Sequence, residues 1–206
     1  DTPIICTIKQ NTYTEYNPLF TKIKDLVANH FVKKVDHFIS VSEKTVSLYR
    51  KRFNVNLKKF TCLTQLGVDT NLFCPVDQHQ KITFKKSHKL PEDVLIVGYA
   101  GRLNSIKGVE SLLKAMKLAR RISGLDLNLA LLGRGNLENF FLDESKKCSW
   151  LHILPPVPHA KVADFLKALD IFVLPTQISK YYEEHDGHVL LEAMAIGLPC
   201  IGTNSG

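Results

Sequence analysis

VLIVGYAGRLNSIKGVESLLKAMKLARRISGLDLNLALL, residues 94–132, decides the fold. Val94 to Ala100 and Leu127 to Leu132 are near-continuous apolar runs of strand length, the mark of strands buried on both faces. Between them, Val109 to Ile122 reads as a helix. The same rhythm continues downstream: helix Leu137 to Lys146, strand Leu151 to Leu154, helix Ala160 to Leu169, strand Ile171 to Leu174, helix Val189 to Ile196 and strand Cys200 to Gly202. This alternation predicts an α/β fold, a doubly wound parallel sheet with helices on both faces. In such sheets ligands bind beyond the carboxyl ends of the strands. Gly101-Arg102, Gly133-Arg134-Gly135, Pro175 and Glu184 to Gly187 all fall there.

Upstream, the pattern predicts part of a second α/β domain. Pro3 to Ile8 reads as a strand and Lys9 to Asn17 as a polar loop. A helix follows with Leu19, Ile23, Leu26, Val27, Phe31 and Val35 on one face and lysines on the other. Asp36 to Val41 is a short buried strand. Ser42, with Thr45 three positions on, is an N-cap for a helix running to about Phe53. Phe60 to Leu63 is a strand and Gly67-Val68-Asp69 a turn. Pro75 to Asp93 is polar, lysine-rich and without clear period, which predicts a linker over residues 76–93 between a domain at 1–75 and one at 94–206.

Composition narrows the function classes. At 206 residues and 45% hydrophobic, the chain can build a proper core, and no apolar run reaches the length of about 20 residues that spans a membrane. The first residues, DTPIICTIKQ, lack the basic start and long apolar stretch of a signal peptide. Cys6, Cys62, Cys74, Cys148 and Cys200 are scattered, odd in number and without a CxxC pair, which fits a reducing cytoplasm rather than a disulfide framework or a zinc site. The net charge of +7 favours anionic partners. Its early basic groups, Lys22 to Lys34, Arg50 to Lys59, and Lys85 with Lys86, carry no nucleic-acid signature. They suit either peripheral contact with an acidic membrane or a solvated face.

Two segments carry candidate chemistry. GRLNSIKG, residues 101–108, sets Arg102 and Lys107 between a strand end and a helix start, a plausible diphosphate clamp beside helix N–H groups. The plain alternative is a pair of surface charges, and neither GxxxxGK[ST] nor GxGxxG is present. YYEEHDGHVLLEAMAIGLPCIGTN, residues 181–204, sets Glu184 and Glu192 around a turn at Gly187 and a helix start near His188. Val189 to Ile196 is apolar except for Glu192, and a carboxylate there must be paired or face a polar cavity. The alternatives are a core helix with one solvent-facing Glu, or metal ligation by the EEHDGH cluster, which lacks the familiar helical spacings. His152, in a short strand, and His159, beside prolines, read as ordinary core or surface histidines.

Taken together, a strand ending GRL, KG at the next helix start, LGRG, DIFVLPT and E-x7-E with LLEAMAIGLPCIGTNSG resemble the donor half of GT-B-fold glycosyltransferases of the group 1 type. HFISVSEKT and QLGVDTNLF resemble the end of that family's first domain and its interdomain turn, so the likeness runs from about residue 36. The resemblance implies two Rossmann-like domains, the first partial and the second truncated at its C-terminus. It also implies a retaining enzyme that moves a sugar from a nucleotide-sugar to a saccharide or lipid-linked acceptor, with no metal and no cofactor beyond the nucleotide-sugar as co-substrate. Arg102 and Lys107 would hold the diphosphate and Glu184 the sugar hydroxyls. Gly187 and His188 would offer backbone N–H groups, and Glu192 would take the ribose hydroxyls. Backbone near Val157 would meet the base.

Five positions depart from the family pattern: Lys9 for a histidine, Leu66 for an asparagine, Arg134 for an acid, Pro155 for a glycine and Asp186 for an aromatic. They keep two further readings open, a non-catalytic sugar-nucleotide-binding protein and a GT-B-fold epimerase or phosphorylase. The chain reads as an excerpt, about half the length of such enzymes, so the 206 residues alone are expected to be weakly active or inactive.

Overall fold

The computed structural model describes residues 2–8, 18–40, 42–63, 67–178 and 187–204. These form two compact units, one up to residue 67 and one from residue 68. In the first, strands β1 (Ile5–Ile8), β2 (His37–Ser40) and β3 (Phe60–Cys62) pair in the order β1-β2-β3, all parallel. Helix α1 (Pro18–Lys34) links β1 to β2, and α2 (Glu43–Phe53) leads toward β3. Ser42 caps α2 as its spacing predicts, its Oγ accepting from the Thr45 N–H at 3.2 Å. The core is small: Ile8, Val35 and Phe38, with Phe60 stacked on Phe38 at 5.0 Å between ring centroids.

The expected apolar face of α1 is only partly buried. Val35, just past its end, is in the core and Val32 packs against it, but Leu26, Val27 and Phe31 are exposed. The reason is geometric. The less exposed side of the helix runs through Asp25, Ala28, Asn29 and Val32 at three- and four-residue spacing, so Leu26, Val27 and Phe31 fall beside it.

The second unit holds α3 (Gln78–Ser87), β4 (Leu95–Ala100), α4 (Val109–Ser123), β5 (Leu127–Leu132), α5 (Glu138–Lys147), β6 (Leu151–Leu154), α6 (His159–Lys167), β7 (Ile171–Leu174), α7 (His188–Ala195) and β8 (Cys200–Gly202). Its sheet runs β6-β5-β4-β7-β8, parallel throughout. From β4 the chain steps outward to β5 and β6, then returns to the other side of β4 for β7 and β8. With right-handed crossovers, this reversal puts α4 and α5 on one face and α7 on the other, the doubly wound arrangement the sequence predicts. Ile96, Leu129, Leu131, Phe165, Leu166 and Phe172 fill the core.

Residues 76–93 are not a linker. They contain α3, which packs on α6 and belongs to the second unit. Asp77 and Gln80 close a reciprocal capping box at its start (2.8 and 3.0 Å). What fastens α3 is ionic. Lys85, 2% exposed, sets its ammonium 3.0 Å from Asp170 and donates to the carbonyls of Val94 (2.8 Å) and Glu92 (3.3 Å). Lys81 reaches the other Asp170 oxygen at 3.0 Å, and the Ile96 N–H donates to Asp170 at 2.8 Å. A helix held by buried lysine stems shows no apolar period, so the segment reads as loop.

Burial pushes the Asp170 carboxyl up, but the Ile96 N–H and the Lys81 and Lys85 ammoniums outweigh it and hold it below its ordinary 3.8. Its stabilising contribution is therefore complete above that pH and is lost as pH falls through the lower folded value. Asp170→Asn strands the Lys85 charge and is expected to cost about 3 kcal/mol in urea unfolding at neutral pH. The variant should also lose less additional stability than wild type below about pH 4.

Candidate functional site

The site is built on the carboxyl ends of β4, β5 and β6, where the hydrogen-bond ladder runs on past the strands. Gly101 N–H donates to Leu132 O (2.9 Å), Gly133 N–H to Leu154 O (3.2 Å), Leu103 N–H to Arg134 O (3.0 Å) and Leu137 N–H to Leu103 O (3.0 Å). On the other side, Gln177 N–H donates to Ile106 O (3.1 Å). The loops after β4, β5 and β7 are thus stitched backbone to backbone.

Two glycines permit this closeness. At Gly133, φ is +142° and a Cβ would sit 1.9 Å from Gly101 O; at Gly108, φ is +69° and a Cβ would sit 1.9 Å from Pro175 O. Gly108 of GRLNSIKG and Gly133 of LGRG thus bring neighbouring loops together. Beneath them the buried Tyr99 hydroxyl donates to the Arg102 carbonyl at 2.9 Å.

Beside these loops lies a cavity of about 490 Å³, and the described residues that line it all belong to the second unit. Ala100 to Arg102 and Leu132 to Arg134 form one wall, where Arg102 is exposed and Arg134 pairs its Nε with Glu138 Oε2 at 3.4 Å. Pro156 and Val157 form another. The start of α6, through His159 and Val162, and the start of α7, through His188, Val189 and Glu192, complete it. Neither helix has a side-chain cap: Pro158 precedes α6, and Gly187, at φ +46°, precedes α7.

Within α7 the burial inverts the expected pattern. Glu192 is 2% exposed while Met194 is 58% exposed. The carboxylate is tolerated because Oε1 lies 2.6 Å from His159 Nε2 and 3.6 Å from His188 Nε2. His159 also packs its ring against buried Phe73, 5.6 Å between centroids.

Of the residues singled out in the sequence, Arg102, His188 and Glu192 line this one cavity. Lys107 lies on a short 3-10 turn, Ser105–Lys107, its N–H donating to Asn104 Oδ1 at 3.1 Å, and it is not among the lining residues. Gly187 accepts from Leu190 N–H as the start of α7. Glu184 and Asp186 lie outside the described residues, as do Lys9 and Leu66. Sequence reasoning missed His159: it stands 33 positions from Glu192, and no local pattern marks the pair. Among the described residues, no group of three or more His, Cys, Asp and Glu is placed to hold a metal ion, and Glu183 to Asp186 lie outside that set.

The chain belongs to the glycosyl transferases group 1 family, whose model its residues 80–206 match. It is 29% identical over 177 residues to the capsular polysaccharide biosynthesis glycosyltransferase CapM of Staphylococcus aureus, covering 81% of this chain and 43% of that one. It is 31% identical over 146 residues to the D-inositol 3-phosphate glycosyltransferase of Pseudarthrobacter chlorophenolicus, covering 68% of this chain and 33% of that one. The chain therefore spans less than half the length of these relatives. The crystal structure of Anabaena HepE in complex with UDP and glucose has the same fold. It superposes with a TM-score of 0.74 at 16% identity, covering 99% of this chain and 53% of that one.

The stitched loops make a direct prediction. Gly133→Ala forces a Cβ onto the Gly101 carbonyl, and is expected to cost about 3 kcal/mol in chemical denaturation.

Proposed function

We propose that the cavity holds the nucleoside diphosphate of a nucleotide-sugar, and that the whole protein transfers the sugar to a saccharide or lipid-linked acceptor with retention at the anomeric carbon. The observation that carries this reading is the buried Glu192 carboxylate lining one cavity together with Arg102 and Arg134. A buried acid suits a vicinal diol, whose hydroxyls donate to it, and the cationic wall suits a diphosphate. Polysaccharide acceptors agree with the capsular relative.

In this reading Arg102 and Lys107 neutralise the diphosphate, and the α7 N-terminus at Gly187 and His188 adds backbone donors. Glu192 takes the ribose hydroxyls, backbone near Val157 meets the base, and Glu184 meets the sugar. As the glycosidic bond to the diphosphate breaks, negative charge grows on the leaving phosphate oxygens. Fixed cations and a helix N-terminus stabilise that state more than the ground state. Arg and Lys can supply this role without a metal ion.

The test uses the full chain and calorimetry with uridine, adenosine and guanosine diphosphates. At least one should bind, and Arg102→Ala or Glu192→Gln should weaken it by about tenfold or more, the scale of one hydrogen bond to a charged group. Near-normal affinity in both variants contradicts the assignment. Product analysis separates the rivals: an epimerase converts the nucleotide-sugar without acceptor, a phosphorylase requires inorganic phosphate, and a binding protein turns over neither.

We also propose peripheral contact of the first unit with acidic membranes. Among the described residues no helix is long and apolar enough to cross a membrane. However, α1 exposes Leu26, Val27 and Phe31 ahead of Lys33 and Lys34, and α2 ends in Arg50, Lys51 and Arg52. Co-sedimentation with phosphatidylserine vesicles should exceed that with phosphatidylcholine vesicles and fall with salt. Equal binding to both lipids rejects the contact.

A further inference from the structure

Two features of His159 are unlike those of a surface histidine. Its side chain is 67% exposed, yet its ring is held between the buried Phe73 ring and the Glu192 carboxylate. The chain leading to it, Pro155-Pro156-Val157-Pro158, has φ locked at each proline, so the start of α6 enters the cavity with little backbone freedom. Its partner oxygen is specific: both His159 and the more distant His188 approach Oε1. Among the described residues, Oε2 of Glu192 has no such partner.

We propose that His159 is a positioning residue for the donor's ribose. By donating its Nε2–H to Oε1, it fixes the rotamer of Glu192 and turns Oε2 toward the cavity as the acceptor for a ribose hydroxyl. This rests on the donor reading above and extends it, because it assigns ribose selectivity to a residue on α6 rather than to the acid alone. Without the imidazole, a buried carboxylate must find another donor, and the nearest one in place is His188 at 3.6 Å. His188 approaches the same Oε1, but at 3.6 Å it is beyond hydrogen-bond reach and leaves the carboxylate, and with it Oε2, less firmly held. The diphosphate, held by Arg102, does not sense the change.

The signature is thus a loss of discrimination rather than a loss of binding. The measurement is the affinity of uridine, adenosine and guanosine diphosphates against their 2′-deoxy counterparts, by calorimetry on the full chain. It is made for wild type, Glu192→Gln, His159→Phe and His159→Gln. Phenylalanine keeps the contact with Phe73 and lacks the donor; glutamine retains an N–H donor.

Wild type should prefer the ribonucleotide by about tenfold. His159→Phe should reduce that preference to within about threefold while the 2′-deoxy affinity stays near wild type, and His159→Gln should restore most of it. If His159→Phe keeps the full preference while Glu192→Gln loses it, the donor reading stands and the role of His159 falls. It falls equally if His159→Gln behaves like His159→Phe. If no diphosphate binds wild type, the donor reading fails and this inference with it.

Discussion

One buried charge organises the second unit's carboxyl edge. Glu192 is withdrawn from water in an otherwise apolar helix, and its charge is tolerable only because a donor meets it at 2.6 Å. That requirement ties the first residue of α6, His159, to the second turn of α7. The cavity there is lined by two uncapped helices, this carboxylate and two arginines. The stitched glycine loops hold the arginine wall in place, so the polar groups stand on backbone that cannot easily shift.

A second acid, half-buried, secures the far edge of the same sheet. Asp170 precedes β7 and gathers Lys81, Lys85 and the Ile96 amide, which ties α3 to the amino ends of β4 and β7. The two acids have different partners and different consequences. Asp170 is met by two ammoniums and a backbone N–H. Glu192 is met by an imidazole and opens onto 490 Å³ of space. The first is a fastening; the second is an acid left with capacity to bind.

Much of this was legible in the sequence, and for a definite reason. Strands β5, β6, β7 and β8 occupy the residues their apolar runs predict, and β5, the run most clearly marked, is buried along its whole length. The Ser42 cap and the helix start near His188 were legible from local chemistry alone. α3 was not, because its attachment is made by lysines whose stems are buried and whose charges are paired at long range, 89 positions away in the case of Lys81. At the site, Arg102, His188 and Glu192 could be picked out by position after a strand or within an apolar helix. His159 could not, since its role comes only from a neighbour on another helix. The glycines of the two loops were visible, but their purpose depends on which strands lie side by side, and chain order does not show that.

The central claim, that the carboxyl edge of the second sheet is where a nucleoside diphosphate sits, is tested most directly by amide hydrogen exchange on the full chain. Exchange is compared with and without saturating uridine, adenosine or guanosine diphosphate. Protection should appear at residues 100–103, 133–135, 157–160 and 188–192 and be absent at residues 89–94 on the opposite edge. Protection confined to the amino edge, or none under any of the three nucleotides, would contradict it.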